Sequence, residues 1–305
     1  MSFNLQLIKK WTGMLLGKSI YHVDQGVGTL YSKDGVAGFY NDLRQKVIMR
    51  EESEELPTTV TDDGQKIYFP IEIAQYGLGA YDLYLEHGRE QSRYLSIATS
   101  CAEWLSENVE EGGGWKNFSY IYPDHPYSSM AQSEAACLFM RLFCETREAR
   151  YLSAAKSAID FMLVPIENGG CTKYDGDDVY LCEHTDPSRT VVLNGWIFSL
   201  WSLYDYHKLT QDTNVGEMYQ KTLDTLEKIL PLYDCKYWSY YDRSKRMTSP
   251  FYHRLHIAQL TVMYDITGRS IFDEYAKKWQ KYSESFFKPK RAFIAKAFQK
   301  LTERL

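Results

Sequence analysis

The sequence predicts an all-α fold: an incomplete (α/α) toroid of about four helical hairpins, preceded by a small β-rich segment. Three observations predict it. A short apolar motif centred on one amide residue occurs four times, as Ile73-Ala74-Gln75-Tyr76, Met130-Ala131-Gln132-Ser133, Val192-Leu193-Asn194-Gly195 and Ile257-Ala258-Gln259-Leu260, with steps of 57, 62 and 65 between the amides. Each copy opens an apolar run of helix length, closed by a polar break such as Glu86-His87-Gly88 or Thr210-Gln211-Asp212. A second run follows each break, starting near Tyr94, Tyr151, Tyr219 and Tyr275, with apolar residues at i, i+3 and i+4 and charges on the other side.

The elements follow in order. Residues 5–16 read as a short helix with Lys9 and Lys10 at its middle. Residues 20–70 carry turn signals (Asp34-Gly35, Asp62-Asp63-Gly64) between short alternating stretches, which predicts strands or hairpins. Residues 1–70 therefore form an N-terminal segment and residues 71–285 the helical toroid. In each of its repeats the first helix is apolar on nearly every face, as a helix buried on both sides must be, and the second is an amphipathic outer helix. An open solenoid is the alternative; solenoid repeats usually hold one period, and the drift of these steps favours the ring. Residues 286–305 hold six Lys or Arg against one Glu, with apolar residues at helical spacing. That tail reads as a solvated terminal helix or as a weak contact for an anionic membrane surface or polyanion.

Composition narrows the function. A chain of 305 residues with 35 Lys and Arg against 40 Asp and Glu has a net charge of −5, so nucleic acid is not an expected partner. The longest apolar candidate, 190–204, is interrupted by Asn194, Gly195, Ser199 and Ser202, so no membrane span is expected. Lys9 and Lys10 fall where a secretory signal needs its apolar core, and a cytoplasmic location, peripheral at the inner membrane at most, is expected. Six cysteines without CxxC or CxxH spacing predict scattered thiols rather than a zinc site. The 25 tyrosines and 7 tryptophans suit a cleft for sugars, whose C–H faces stack on rings and whose hydroxyls need polar ends. Loops entering inner helices gather at one mouth of a toroid, and those at 112–127, 169–189 and 233–251 are long and polar, which places the site there.

Five stretches in order carry a resemblance: Tyr68-Phe69-Pro70-Ile71-Glu72-Ile73-Ala74-Gln75-Tyr76-Gly77-Leu78; Tyr127-Ser128-Ser129-Met130-Ala131-Gln132; Val192-Leu193-Asn194-Gly195; Leu230-Pro231-Leu232-Tyr233-Asp234; and Tyr252-His253 with His256-Ile257 and Gln259-Leu260. Over about residues 65–280 the chain resembles the D-glucuronyl C5-epimerases, isomerases that convert D-glucuronate to L-iduronate in heparan-type polysaccharides. The resemblance implies Glu183, eleven residues before Asn194, and Tyr241 and Tyr252 as catalytic positions, with no cofactor. Three departures stand out: His184 replaces the tyrosine that follows the glutamate in animal members, the loop between Tyr241 and Tyr252 is shorter, and the β-rich N-terminal domains shrink to residues 20–70 at most.

Inverting C5 of a uronate needs acid/base groups on two sides of one carbon and a group to stabilise charge on the carboxylate. Glu183 and Tyr252 come from neighbouring repeats and suit the first task; Tyr241 or His184 suits the second. Tyr68, Tyr127, Gln132, Asn194, His253 and His256 are the candidate substrate contacts, with buried amide ties between helices as the alternative for Gln75, Gln132 and Asn194. His253 and His256 share a helical face but lack a third ligand, so no metal is expected; Asp175, Asp177 and Asp178 read as a polar turn rather than a calcium loop. The expected partner is an acidic, heparosan-like polysaccharide, with a homodimer as a further candidate. A uronate lyase removes the same C5 proton and is the nearest rival; a non-catalytic glycan-binding toroid would not need Glu183. No second acidic residue is evident to partner Glu183, which disfavours a hydrolase.

Overall fold

Apolar side chains fill nearly every position of four helices and only one face of four others, and that difference sorts them into two rings. The computed structural model describes residues 23–50, 55–61 and 64–302; the expected helix at 5–16 lies outside them. After helix α1 (Arg44–Ile48) and the antiparallel strands β1 (Thr58–Val60) and β2 (Lys66–Tyr68) come four hairpins. They are α2 (Pro70–Glu86) with α3 (Ser92–Glu107), α4 (Ser129–Thr146) with α5 (Ala149–Leu163), α6 (Leu193–Thr210) with α7 (Thr213–Ile229), and α8 (Pro250–Thr267) with α9 (Ser270–Ser283). Strands β3 (Thr172–Asp175) and β4 (Asp178–Leu181) form a hairpin between the second and third pairs, and α10 (Lys288–Thr302) follows the last.

The first members pack on one another in the order α2, α4, α6, α8 and form the inner layer. Every residue of α6 from Leu193 to Leu203 is buried, whereas α3 buries only Tyr94, Ala98, Cys101, Ala102 and Leu105, the single stripe of an outer helix. A Cβ on Gly77 would meet Leu138 Cδ2 at 2.6 Å and Cys101 Cβ at 2.9 Å, so this glycine lets α2 approach α4 and α3 together. Left-handed residues end three inner helices, Arg147, Gln211 and Gly268, where the chain doubles back into each outer partner.

The fold is thus the incomplete (α/α) toroid expected, with four hairpins. What spans its opening was not legible in advance. The segment 23–43 runs from the last inner helix to the first. Asp24 pairs with Arg254 at 3.1 Å, and Tyr31 donates to Asp265 at 2.8 Å, both on α8. Farther along, the Phe39 N–H donates to Asp82 of α2 at 2.8 Å. Among the described residues of 20–70, a bridge between Val27 and Asn41 and two three-residue strands represent the β structure expected, and residues 44–48 are helical instead. The segment is held by side chains rather than by strand pairing, and Phe39, Tyr40 and Leu43 are buried beneath α2 and α6, with Phe39 edge-on to Trp201 at 5.6 Å.

At the centre of this closure, Arg141 of α4 donates to Asp205 of α6 at 3.0 Å and to the Gly38 carbonyl at 3.0 Å, while the Tyr40 hydroxyl donates to the other Asp205 oxygen at 2.5 Å. Both charged groups are excluded from water. Removing one member of such a pair leaves a buried charge alone and costs about 3–5 kcal/mol, whereas replacing the whole set with apolar groups restores much of the loss. Asp205→Ala should therefore lower the denaturant midpoint far more than Tyr40→Phe/Arg141→Met/Asp205→Leu; equal losses in urea melts would show that packing volume, not charge, is what matters here.

Candidate functional site

The opposite end of the inner helices, where their N-termini lie, is where the sequence-predicted residues converge. Strand β4 runs on through Cys182, whose N–H donates to the Cys171 carbonyl at 2.9 Å and whose carbonyl accepts from the Ser129 N–H at 3.0 Å. That pairing sets Glu183 against the first turn of α6. A Cβ on Gly195 would lie 2.2 Å from Glu183 Oε2 and 2.6 Å from its Cβ, so only glycine makes room for this carboxyl. The Tyr241 carbonyl accepts from the Leu193 N–H at 3.1 Å, which fixes the 233–249 loop to the same helix start. Tyr252 lies in the first turn of α8, behind Pro250 and the Ser249 cap, whose hydroxyl accepts from the Tyr252 N–H at 3.4 Å.

These supports bring three groups together. The Tyr241 hydroxyl donates to Glu183 Oε1 at 3.4 Å, and the Tyr241 and Tyr252 rings meet edge to face at 5.1 Å. Glu183 is 7% exposed, and its Oε2 is buried without a hydrogen-bond partner. Burial pushes its carboxyl up from 4.5 to about 7, against the opposing pull of the Tyr241 hydroxyl and Arg246. Burial and the nearby Glu183 charge keep both phenols protonated, far above the ordinary tyrosine value. Arg246 lies over the Tyr241 ring at 5.5 Å and its Nε donates to Asp242 at 2.6 Å. His184 Nε2 stands 3.6 Å from Glu183 Oε1, too far for a hydrogen bond, and its ring packs on Phe118 at 4.4 Å. Burial, then the charges of Arg189 and Arg246, push His184 down to about 4, so it is neutral at physiological pH.

The other candidates divide. Asn194 stays at the site: it adjoins Gly195, and its Oδ1 is buried and unpartnered. Its carbonyl accepts from Gln259 at 3.1 Å, so one repeated amide ties α8 to α6, as Gln75 ties α2 to α4 by donating to Glu134 at 2.8 Å. Gln132 sits between the Gly113 carbonyl and the Trp115 N–H, and with its amide turned to suit them it donates to the first at 3.1 Å and accepts from the second at 3.0 Å. Tyr127 donates to Glu110 and packs on Phe161 of the outer layer at 4.8 Å. Tyr68 is half exposed, with its ring against Trp104 of α3 at 5.5 Å. His253 is an internal strut rather than a substrate contact. Its Nδ1 accepts from the Ser239 N–H at 3.2 Å, which leaves the proton on Nε2, facing the Trp279 carbonyl at 3.1 Å, and its ring stacks on Trp238 at 3.5 Å. Buried beside it, His256 directs Nδ1 to Ser239 Oγ at 3.2 Å. Burial holds both imidazoles neutral. No group of three or more metal-ligating side chains occurs among the described residues.

One acidic residue at the site went unnoticed in the sequence. Glu134, on the second turn of α4, is fully buried with Oε2 unpartnered, and burial, with a smaller push from Glu183, raises it to about 8. Lys46, buried on α1, is held below its ordinary value by burial while the Glu72 and Glu134 charges oppose that fall. The available signal was a carboxylate inside the otherwise apolar run from Met130 to Leu142. Glu183 therefore has an acidic neighbour after all.

Residues 124–281 match the family described as D-glucuronyl C5-epimerase C-terminus. The chain belongs to this family. Membership sets the class as carbohydrate epimerase. An uncharacterized protein of Methanocaldococcus jannaschii is 28% identical over 243 residues, 73% of this chain and 76% of that protein. The D-glucuronyl C5-epimerase of Caenorhabditis elegans is 25% identical over 222 residues, 64% of this chain but only 36% of the worm protein. This chain thus spans about a third of that longer relative. The solved cellobiose 2-epimerase of Spirochaeta thermophila shares the fold, with a TM-score of 0.53 at 12% identity over 92% of this chain and 86% of that one. No described helix is long and apolar enough to cross a membrane.

The raised carboxyls have a consequence for stability. Glu183, Glu134 and the buried Asp82 of α2, the last pushed by burial to about 7, hold protons in the folded chain at pH values where the unfolded chain has lost them. Their contribution is complete below the ordinary carboxylate range and is lost as pH rises through 7 to 8. The neutral His184, His253 and His256 act oppositely, but only below their ordinary 6.5. The melting temperature should therefore fall between about pH 6.5 and 8.5, and Glu134→Gln should flatten that fall. An unchanged slope in the variant would show that Glu134 is ionised in the folded chain.

Proposed function

We propose that the chain inverts C5 of D-glucuronate residues in a heparosan-like polysaccharide, giving L-iduronate, with Glu183 and Tyr252 as the acid/base pair. The observation that carries this reading is the cluster of one buried carboxyl near neutrality and two phenols held protonated, gathered where α6 and α8 begin. A base must take a proton that is only weakly acidic, and a carboxyl at about 7 is a stronger base than one at 4.5 while still ionised in a useful fraction at neutral pH.

In the forward step Glu183 accepts the C5 proton, and the C5–H electron pair moves into the carboxylate as an enediolate. The Tyr252 phenol then gives its proton to C5 from the other face, the electrons return to C5, and the carboxylate is restored. Glu183 is left protonated and Tyr252 as phenolate; exchange with solvent resets both. Tyr241, donating to Glu183 in the resting site, is positioned to follow the carboxyl through its change of charge. The N-termini of α6 and α8 face the mouth, and their dipoles favour the substrate carboxylate. A neutral His184 acts here as a hydrogen-bonding group rather than a cation.

The test uses a heparosan-like polymer in heavy water, following C5 deuterium, chain length and the absorbance of unsaturated uronide. Deuterium at C5, new iduronate and constant chain length are expected. Shortened chains with conjugated product would mean a lyase, and binding without exchange a glycan-binding module. Glu183→Gln and Tyr252→Phe should each abolish exchange while binding persists; exchange surviving both would refute these residues. Gly195→Ala, which forces Glu183 aside, should slow exchange about a hundredfold, the cost of roughly an ångström of misplacement. His184→Ala should lower turnover more than it weakens binding; equal turnover would make His184 a bystander.

A further inference from the structure

Helix α10 is built inside out. Its inner side is fixed to the 240–249 loop: Ala292 is buried, Lys296 donates to the Met247 carbonyl at 2.6 Å, and Gln299 accepts from the Met247 N–H at 2.8 Å. The opposite side is apolar and open to solvent. Phe286 is 70% exposed, Phe287 75%, Ile294 68% and Phe298 66%. Positions 287, 294 and 298 fall on one stripe of an α-helix, with Phe286 beside its start. Four large apolar side chains so exposed on one short helix and the two residues that lead into it are far more than scattered surface leucines or valines would give.

The charge around that stripe is of one sign. Residues 286–302 contain Lys288, Lys290, Arg291, Lys296 and Lys300 and no Asp or Glu, in a chain whose net charge is −5. Lys290 lies over the Phe286 ring at 3.4 Å, so cation and apolar face are presented together. We propose that this face of α10 docks on an anionic lipid bilayer, with the aromatic stripe entering the headgroup boundary and the cations beside it, Lys290 foremost, facing lipid phosphates. The pairing of charges selects this occupant. A second copy meeting the same face would bring cation against cation, and a soluble polyanion would satisfy the lysines but leave the phenylalanines in water. A bilayer with acidic headgroups satisfies both.

The experiment is sedimentation of the full chain with vesicles of phosphatidylcholine alone and of phosphatidylcholine mixed with phosphatidylglycerol. Binding to the mixed vesicles, weakening with added salt, and little binding to phosphatidylcholine are expected. Phe287→Ser/Ile294→Ser/Phe298→Ser should lower the partition at least about tenfold, because the buried apolar area is lost. Lys290→Gln should lower it about fivefold, the effect of one cation near an acidic surface. All three serine positions are exposed, so circular dichroism of the variant should match the parent; if it does not, Phe287→Ser alone is read instead. Three results would overturn the proposal: no binding to the mixed vesicles, equal binding to both vesicle types, or a dimer in sedimentation velocity that the triple variant alone abolishes. Retention on a soluble sulfated dextran without vesicle binding would likewise assign the face to polyanions.

Discussion

The ring depends on one buried ion pair. Arg141 and Asp205 sit on neighbouring inner helices, and no chain connection holds those helices at that depth. Their charges are tolerable only because each is satisfied from several sides: Arg141 by Asp205, the Cys137 carbonyl and the Gly38 carbonyl, Asp205 by Arg141 and Tyr40. Two of these groups, Gly38 and Tyr40, belong to the segment that crosses the opening between α8 and α2. The pair therefore locates the segment that completes a four-hairpin ring, in which the missing repeats would otherwise leave inner-helix faces in water.

Closing one end leaves the other free. The same inner helices carry their N-termini at the open mouth, and the loops entering them are where chemistry is possible without disturbing the core. The supports there are backbone contacts: Cys182 to Ser129, Leu193 to Tyr241, and glycine at 195 under the carboxyl. Rigid elements thus place three titratable groups side by side, and burial shifts their proton affinities. Carboxyls and phenols are pushed upward by the same exclusion of water, which leaves Glu183 near neutrality and the tyrosines protonated. The 240–249 loop is shared by the site and by α10, since it carries Tyr241 at one end and receives Lys296 and Gln299 at its tip. The exposed apolar face of α10 and the Glu183 cluster are therefore joined through one loop.

Much of this was readable in the sequence because it is periodic. Amide steps and alternating inner and outer helices follow from a pattern that only a two-layered ring of hairpins can bury, so the fold class and all four hairpins were legible. So was the approach of Glu183, Tyr241 and Tyr252, through motifs that resemble a known family. What sequence could not supply was anything set by the third dimension. Whether an amide points at substrate or at a neighbouring loop depends on rotamer and partner, and Gln132, Tyr127 and His253 proved to be engaged by the protein. Glu134 was hidden because a carboxylate in an apolar helix reads as an interruption until its neighbours, Gln75 and Glu183, are brought beside it across repeats. The crossing of 23–43 was invisible for a related reason: its contacts join residues from 43 to 234 positions apart, and no local pattern records them. Local periodicity determined the repeats; burial and long-range pairing decided which of their polar groups hold the ring and which are left for chemistry.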